Sequence, residues 1–384
     1  MRNKGVYLGC IIVILLTIGI VIGKRELFNE FFSTVKLQYI STYLNNNYLY
    51  EFNEEKGLEM VYTGYLSGVE NDATYYLEES DFLSAQVEDE GYYYGTGLSL
   101  MWSLDGQALI VTDVVPNSPA DKENIKNGDR IIKINDTQVL MANAQVLIEE
   151  GFSTKPEPIR YTVLHNNEET EVSLTPTKVE IESLDAKVID GALYIKIRSI
   201  QEQTSKELQA LIEANKTEVL KGIILDLRDL NTNNIQEVAA ICDLFLDEGI
   251  AFKVKEKNNE IQVYTMNKGH IDASLCILVN ISTKAGGEAL ALGLSERCIV
   301  VGSETAGMNY LRTLVSLGDG SGMSVASGII CDEYGNELNK LEADERVYIG
   351  EDEKLEILEK GSVTREKDSF IKAAIRRLDE KENK

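Results

Sequence analysis

Hydrophobic and polar positions change their spacing along the chain, and these changes divide it into five segments. Residues 6–23, within the first segment (1–25), carry no charge and are mostly apolar. Residues 26–90 place apolar side chains three or four positions apart, which is typical of helices. Residues 91–175 mix short strands, turns and a predicted helix, whereas strands and helices alternate over 176–350. Residues 351–384 form a highly charged tail whose end has the spacing of an amphipathic helix.

The first segment predicts a transmembrane anchor. Its eighteen uncharged residues rise roughly 27 Å as a helix, close to the thickness of a bilayer core. A cleaved signal peptide is the alternative, but Gly19 and Gly23 are too far apart to form a small-x-small cleavage site. The positive residues on the two sides nearly balance, so charge alone leaves the orientation open.

The alternation over residues 176–350 predicts a sheet with parallel strands that is covered by helices. The predicted strands are residues 192–197, 222–227, 275–279 and 298–301, and the predicted helices are 204–214, 235–246 and 288–294. Together with a compact α+β domain at 91–175, which includes a helix at 142–150, this predicts a multidomain protein of mixed α/β and α+β class.

Composition narrows the classes of function. The formal net charge is -25, which argues against nucleic-acid binding because phosphate recognition requires a positive surface. Four of the five cysteines lie in apolar segments without metal-ligand spacing, and we expect buried free thiols there: Cys242, Cys276, Cys298 and Cys331. The sequence indicates no cofactor and no metal site.

A glycine-bearing loop, a helix start and a turn follow one another in the first half of the α+β segment at 91–175. They are Gly-Thr-Gly-Leu at 95–98, Asn-Ser-Pro-Ala at 117–120 and Gly-Asp at 128–129. In this order they resemble a bacterial PDZ domain, in which the loop aims backbone N–H groups at a peptide's terminal carboxylate and the next strand accepts the peptide. The resemblance implies that Gly97, Leu98, Ser99 and Leu100 bind peptide.

Further features follow in a fixed order along the chain. They are residues 72–77, 222–228 and 242–246, then Val279-Asn280, Glu288, Gly302, Gly307 and 317–321. With the PDZ features, this set resembles the carboxyl-terminal processing, or tail-specific, serine peptidases. The resemblance implies an αββ-type peptidase-like domain at 176–350, preceded by a helical region at 26–90 and a PDZ domain at 91–175. It also implies proteolysis and an extracytoplasmic location at the cell membrane.

In that family a serine attacks the peptide carbonyl and a buried lysine accepts the hydroxyl proton, so histidine is not needed. The serine lies three residues before the glutamate of a nine-residue stretch, which here runs from Asn280 to Glu288. Ala285 occupies the serine position. The lysine, counted six residues on from the glycine at 302, corresponds to Met308, and the family's glutamine four residues later corresponds to Arg312.

The family's glycine-rich turn after the strand at 222–228 is also altered. It is replaced by residues 229–233, Asp-Leu-Asn-Thr-Asn, which contain no glycine. Without glycine, the close backbone approach that stabilises an oxyanion is threatened. We therefore expect a catalytically degenerate member of the family, a pseudopeptidase that binds peptide or protein C-terminal tails and pairs with a second copy or an active relative.

Alternatives to this interpretation remain. Ser282 or Thr283 is a displaced nucleophile if Lys284 serves as its base, which would make the chain an active endopeptidase. A histidine-dependent triad would have to use His165 or His270, and we expect both to be surface residues. A structural or assembly protein without a peptide ligand is the third alternative.

Overall fold

The computed structural model describes residues 25–143, 147, 155–165, 168–216, 221–267, 271–360 and 362–382. The chain divides into two compact units between Val69 and Glu70. The first contains helices α1 (Arg25–Asn47) and α2 (Glu54–Leu66). The predicted membrane segment, residues 6–23, lies outside the described residues, and none of the helices within them is long and apolar enough to cross a bilayer.

The second unit contains the strands and the remaining helices. Up to residue 200 its elements are β1 (Tyr75–Leu77), α3 (Glu79–Asp89), β2 (Tyr92–Gly95), β3 (Leu98–Trp102), β4 (Leu109–Val114), α4 (Pro119–Lys122), β5 (Arg130–Ile134), β6 (Thr137–Gln138), β7 (Ile159–His165), β8 (Glu168–Leu174), β9 (Thr177–Glu180), β10 (Leu184–Ile189) and β11 (Ala192–Ile197).

The remaining elements complete the second unit. They are α5 (Thr204–Asn215), β12 (Gly222–Asp226), β13 (Asn231–Thr232), α6 (Ile235–Phe245), β14 (Gly249–Glu256), β15 (Ile261–Met266), β16 (Leu275–Val279), β17 (Lys284–Ala285), α7 (Gly286–Ser295), β18 (Ile299–Gly302), β19 (Tyr310–Ser316), β20 (Gly322–Cys331), β21 (Glu345–Arg346), α8 (Glu351–Lys360) and α9 (Ser369–Glu382). Two short 3-10 helices span Met141–Asn143 and Lys257–Asn259.

An antiparallel sheet in the order β3-β4-β5-β7-β8, with β6 paired to β5, forms the α+β domain. Alternate residues of these strands point inward, and the core contains Leu109, Val111, Ile131, Ile134 and Tyr161. Between β6 and β7, the 3-10 turn Met141–Asn143 and Leu147 are described, whereas most of the helix predicted at 142–150 lies outside the described residues.

A six-stranded sheet in the order β10-β11-β12-β16-β18-β21 forms the centre of the C-terminal domain. All pairs from β11 to β21 are parallel, and β10 is antiparallel to β11. Helices α5, α6 and α7 bury one face of the sheet, and α9 buries the other through Phe370, Ile371, Ala374 and Leu378. The strands and helices predicted at 192–301 are confirmed to within two residues at each end.

A second, antiparallel sheet was not predicted. Its order is β1-β20-β14-β15, and β19 also pairs with β20. The prediction that residues 26–90 are wholly helical is wrong at β1, which pairs with β20 from far along the chain. Two side-chain bonds secure this pairing, because Ser324 Oγ donates to the Ala73 carbonyl at 2.7 Å and Ala326 N donates to Thr74 Oγ1 at 3.0 Å.

Candidate functional site

Ala285 lies at a sharp turn from β17 into α7. Its backbone has φ 46° and ψ -119°, a conformation that residues other than glycine rarely adopt. The two residues that follow need to be glycine: a Cβ on Gly286 would lie 2.7 Å from the Thr232 carbonyl oxygen, and one on Gly287 would lie 2.5 Å from that of Leu230. The Gly-Gly pair thus allows α7 to start against the turn that contains Leu230 and Thr232.

Met308 lies next to Ala285, because the Ala285 N–H donates to the Met308 carbonyl at 3.0 Å. Glu288, in the first turn of α7, holds the loop that carries Met308. Its Oε1 accepts from Thr305 Oγ1 at 2.6 Å and from Gly307 N at 2.7 Å. Burial raises the pKa of the Glu288 carboxyl, although these hydrogen bonds act in the opposite direction. Ala285 and Met308, which the sequence analysis singled out together, are therefore neighbours in the fold.

The turn after β12 closes over Ala285. Within it, β13 pairs with β17 in parallel, which sets Thr232 beside Ala285, and Lys284 N donates to the Leu230 carbonyl at 2.9 Å. Only 6% of Ala285 is exposed. Protein atoms thus fill the space beside Ala285, and the Ala285 N–H is already engaged by a carbonyl.

Asp229 and Asn280 anchor the start of this turn. Asp229 has φ 66°, and its N–H donates to Asn280 Oδ1 at 3.0 Å. In return, Asn280 Nδ2 donates to Asp229 Oδ1 at 2.9 Å. This reciprocal pair fastens the turn to the loop that leads into β17.

Arg312 joins the other end of the turn to α3. Its N–H donates to Asn233 Oδ1 at 2.9 Å, and its guanidinium donates to Asp89 at 3.0 Å. Burial raises the pKa of Asp89, and the charge of Arg312 partly offsets that rise. The structure therefore gathers Ala285, Met308 and Arg312 around residues 229–233, with Arg312 as a structural link between them and α3.

The two hydroxyl groups near Ala285 differ in their surroundings. Thr283 is fully buried, and its Oγ1 donates to the Leu227 carbonyl at 2.9 Å. Ser282 is partly exposed, and its N–H donates to Asn280 Oδ1 at 3.1 Å. The Thr283 hydroxyl thus serves the packing of the strand end and faces a main-chain carbonyl.

His165 does not contribute to this site. It is exposed on the α+β domain, as expected, and its Nδ1 hydrogen-bonds the buried Asp129, whereas His270 lies outside the described residues. The four cysteines predicted to be buried free thiols are confirmed as such. Within the described ranges, His, Cys, Asp and Glu form no group that could hold a metal ion.

A buried ionic network lies directly before the turn, and sequence reasoning missed it. Asp226 is fully buried at the end of β12 and accepts from Tyr194 Oη at 2.7 Å and from Arg228 Nε at 2.9 Å. Arg228 also donates to Asp368 at 2.9 Å, the residue that caps α9. Burial alone would raise the pKa of Asp226, but Arg228, together with Lys196 and Tyr194, holds it below its usual range.

The signal for this network was the pair of charges within the apolar run Leu-Asp-Leu-Arg at 225–228. A charge inside a buried strand requires a partner. The network connects the strand that leads into the turn with the C-terminal helix.

The predicted peptide-binding loop has the conformation that its glycine allows. Gly97 has φ 86°, and a Cβ there would lie 2.1 Å from Ser118 Cβ. Leu98 and Leu100 pack against the domain core, whereas Ser99 is exposed. These residues enter β3, an end strand of its sheet, so one edge of β3 has no strand partner among the described residues.

A cleft of two adjoining cavities runs from this loop towards the turn. One, of about 500 Å³, is lined by Leu98, Ser99 and Arg198, and the other, of about 330 Å³, by Arg198, residues 231–234 and Arg312. Arg198 lines both cavities and donates to Asp113 at 2.9 Å and to Asp185 at 3.0 Å. The sequence contains no motif that would have marked Arg198.

Comparisons with known proteins agree with this arrangement. Residues 191–347 match the model of peptidase family S41, and residues 83–175 match the model of a PDZ domain. Proteins of Staphylococcus aureus and Staphylococcus haemolyticus that are named as CtpA-like serine proteases are each 25% identical over 293 residues, which is 74% of this chain and 58% of theirs. The chain thus spans little more than half the length of these relatives.

Two solved structures share the fold. A photosystem II D1 C-terminal processing protease is 20% identical with a TM-score of 0.50, covering 81% of this chain and 86% of that one. A Bacteroides fragilis structure whose name assigns it to the S41 proteases is 14% identical with a TM-score of 0.54, covering 76% of this chain and 82% of that one. At these identities the likeness shows a common fold.

Proposed function

Because this chain belongs to the carboxyl-terminal processing peptidases of family S41, we propose that it binds protein C-termini through its PDZ domain without cleaving them. The observation that carries the proposal is the pair of side chains at the reacting positions. An alanine methyl group has no lone pair with which to attack a carbonyl, and the thioether of Met308 does not act as a base. Loss of a nucleophile costs on the order of a million-fold in turnover.

The closed turn supports the same proposal. An oxyanion needs backbone N–H groups that are free and correctly placed, and loss of one donor costs about a hundred- to thousand-fold. Here the Ala285 N–H already donates to the Met308 carbonyl, and Thr232 lies beside Ala285. A peptide carbonyl could approach Ala285 only if residues 229–233 moved.

A displaced nucleophile is the competing proposal. Thr283 fits this role poorly, because its hydroxyl is buried and donates to the Leu227 carbonyl. Ser282 lies three residues before Ala285, and Lys284, its candidate base, is two positions further along the chain. Ser282 is nevertheless the hydroxyl that any test of cleavage has to remove.

The proposed ligand is a peptide tail with a free carboxylate. Gly97 keeps the loop in the left-handed conformation, and β3 offers an open edge to which an extended peptide can add as a strand. The D1 processing protease is named for acting on a C-terminus, and we carry that ligand class over to this chain.

Two measurements on the purified chain test binding and cleavage separately. Incubation with an unstructured protein is expected to leave it intact by mass spectrometry, whereas cleavage that Ser282→Ala or Thr283→Ala abolishes would overturn the pseudopeptidase proposal. Fluorescence anisotropy is expected to show binding of peptides with a free C-terminal carboxylate and weaker binding of the same peptides amidated at the C-terminus. If neither form binds at any concentration, an assembly role without a tail ligand replaces the proposal.

We further propose that residues 6–23 anchor the chain in the cell membrane, with the two domains on the extracytoplasmic side and an active relative or a second copy as partner. The apolar length of the segment supports an anchor, and the family resemblance supports the orientation. Protease added to intact cells is expected to digest the domains, and full protection from it would contradict the orientation.

A further inference from the structure

Strand β15 ends the antiparallel sheet and carries no charge. Five strands longer than three residues have only one strand partner in the three larger sheets, and they are β3, β8, β10, β15 and β19. Strand β8 carries three glutamates, β10 carries an aspartate and a lysine, and β19 carries Arg312, whereas β3 and β15 have no charged residue. Charged side chains on an end strand hinder its pairing with another chain. Strand β3 is the edge proposed above for peptide binding, and β15 has no role there.

Apolar side chains lie exposed on one face of β15. Ile261 is 56% and Val263 is 47% exposed, and Thr265 on the same face is also exposed. Tyr264 and Met266, on the opposite face, are buried and hold the strand on the core. The strand is therefore fixed in place while its outer face and its edge remain uncovered by other described strands.

A groove of about 520 Å³ runs beside this edge, between β15 and α6. Among the residues that α6 contributes to the groove are Ala239 and Ala240, whose small side chains leave room next to the strand. An open edge, exposed β-branched residues and a groove alongside are together the features of a strand-addition site.

We propose that β15 pairs with β15 of a second copy of this chain, antiparallel about a two-fold axis at Val263. In this register Val263 lies opposite its own counterpart, and Ile261 lies opposite Thr265 of the other copy. All of these are β-branched residues, which pair favourably across antiparallel strands. The proposal concerns a surface outside the PDZ domain and does not depend on tail binding.

Symmetry and charge both favour a second copy as the occupant. A two-fold interface has to be self-complementary. Ile261 and Thr265 lie at equal distances on either side of Val263, so a two-fold axis at Val263 places each of them opposite the other. The chain carries a net charge of -25, so two copies repel each other over most of their surface. The uncharged β15 avoids this repulsion, and in this register Glu260 lies opposite Met266.

The dimer is expected to be weak. A single pair of six-residue strands buries less than the roughly 1,200 Å² at which stable interfaces begin. The average mass measured in solution should therefore rise with protein concentration, and the monomer should dominate in dilute solution.

Disulfide trapping tests the register. Val263→Cys, in a Cys10→Ser background, puts two thiols opposite each other at the axis, where directly opposed Cβ atoms lie about 4.5–5.5 Å apart, close to disulfide geometry. Ile261→Cys is the matched control, because in this register its two copies are separated by four residues along the strands, about 13 Å. The four natural cysteines in the described part of the chain are buried.

Under mild oxidation, Val263→Cys is expected to give about tenfold more covalent dimer than Ile261→Cys, since only the former meets disulfide geometry. Equal yields from the two variants, or no dimer from Val263→Cys, would overturn the register. Sedimentation of the full chain in density-matched detergent gives an independent measurement without a cysteine.

The unmodified chain should shift from monomer to dimer as its concentration rises, and Val263→Lys, at an exposed position, should weaken that association about tenfold by bringing like charges together at the axis. A chain that stays monomeric at every concentration, or a dimer that Val263→Lys leaves unchanged, refutes the proposal. Binding of C-terminal peptide should be the same in all these variants, which keeps the result separate from the function proposed above.

Discussion

Arg228 is the residue on which the buried network before the turn at 229–233 depends. It lies between two carboxylates: its Nε donates to the fully buried Asp226 at 2.9 Å, and its Nη1 donates to Asp368 at 2.9 Å. Its guanidinium also lies 5.0 Å from the ring centre of Phe370, in the first turn of α9. Replacing it with methionine keeps much of the side-chain volume and removes the charge.

The expected loss of stability in Arg228→Met arises because Asp226 stays buried without its main partner. Breaking a buried pair by removing one partner costs about 3–5 kcal/mol, because the remaining charge is buried without compensation. Lys196, with its Nζ 3.6 Å from Asp226, stays in place and moderates that cost. We expect Arg228→Met to lower the free energy of unfolding by roughly 3 kcal/mol or more.

Asp226→Asn combined with Arg228→Met separates the buried charge from the loss of packing. A buried pair replaced as a whole is often nearly neutral, so the double variant should be more stable than Arg228→Met alone. Arg160→Met is the control for an ordinary ion pair, since Arg160 and its partner Asp136 are 62% and 79% exposed, and it should cost less than about 1 kcal/mol.

Urea unfolding followed by far-ultraviolet circular dichroism measures these losses. The single tryptophan, Trp102, lies in the PDZ domain, so its fluorescence reports whether that domain is unaffected. Hydrogen exchange should be faster in α9, which Asp368 caps. If Arg228→Met is as stable as the unmodified chain, or if the double variant loses the full sum of the two single changes, the account of this network is wrong.

Three further predictions concern the Glu288 carboxyl, the loop at Gly97 and the turn at Ala285. Burial holds the pKa of Glu288 above its ordinary value of 4.5, so the protonated carboxyl favours the folded state. The free energy of unfolding should therefore fall as the pH rises from 4.5 through the raised pKa. Glu288→Gln should flatten that part of the curve of unfolding free energy against pH, and an unchanged slope would contradict the assignment. Gly97→Ala should weaken the binding of carboxylate-terminated peptide and lower the free energy of unfolding by about 1–3 kcal/mol. Gly106→Ala is the control, because Gly106 also has a positive φ but a Cβ there would lie 3.5 Å from its nearest neighbour, so it should cost less and leave binding intact. Ala285→Gly should relieve roughly 1–3 kcal/mol of backbone strain, so its unfolding midpoint should not fall, and a clear fall would argue against strain there.

The central sheet could be predicted because each of its main strands has a recognisable local sequence pattern. Leu-Cys-Ile-Leu-Val at β16 is a continuous apolar run, as expected for a strand buried on both faces. Strands β14 and β19 carry charged residues and alternate less clearly, and β1 is only three residues long. Their sheet is defined by pairing between distant segments, which a local pattern does not contain.

Counting residues singled out Ala285 and Met308, and the fold brings these two residues together, but the closed turn could not be foreseen. It rests on β13 and β17, which are two residues long each, and on a reciprocal side-chain pair between Asp229 and Asn280. Each of these is a tertiary contact without a sequence period. The sequence showed that the turn at 229–233 contains no glycine, but it did not show that this turn closes over Ala285.

The strained backbone at Ala285 is maintained by the residues that pack around it. A backbone at φ 46° and ψ -119° persists only if its surroundings determine it. They do so here: Gly286 and Gly287 start α7 against the turn, the Ala285 N–H is held by Met308, and Glu288 fixes the loop behind it. These contacts belong to the packing of α7 on the central sheet and do not involve a hydroxyl at residue 285. The packing of α7 therefore maintains the strained turn at Ala285 without any contact from a side-chain hydroxyl at that position.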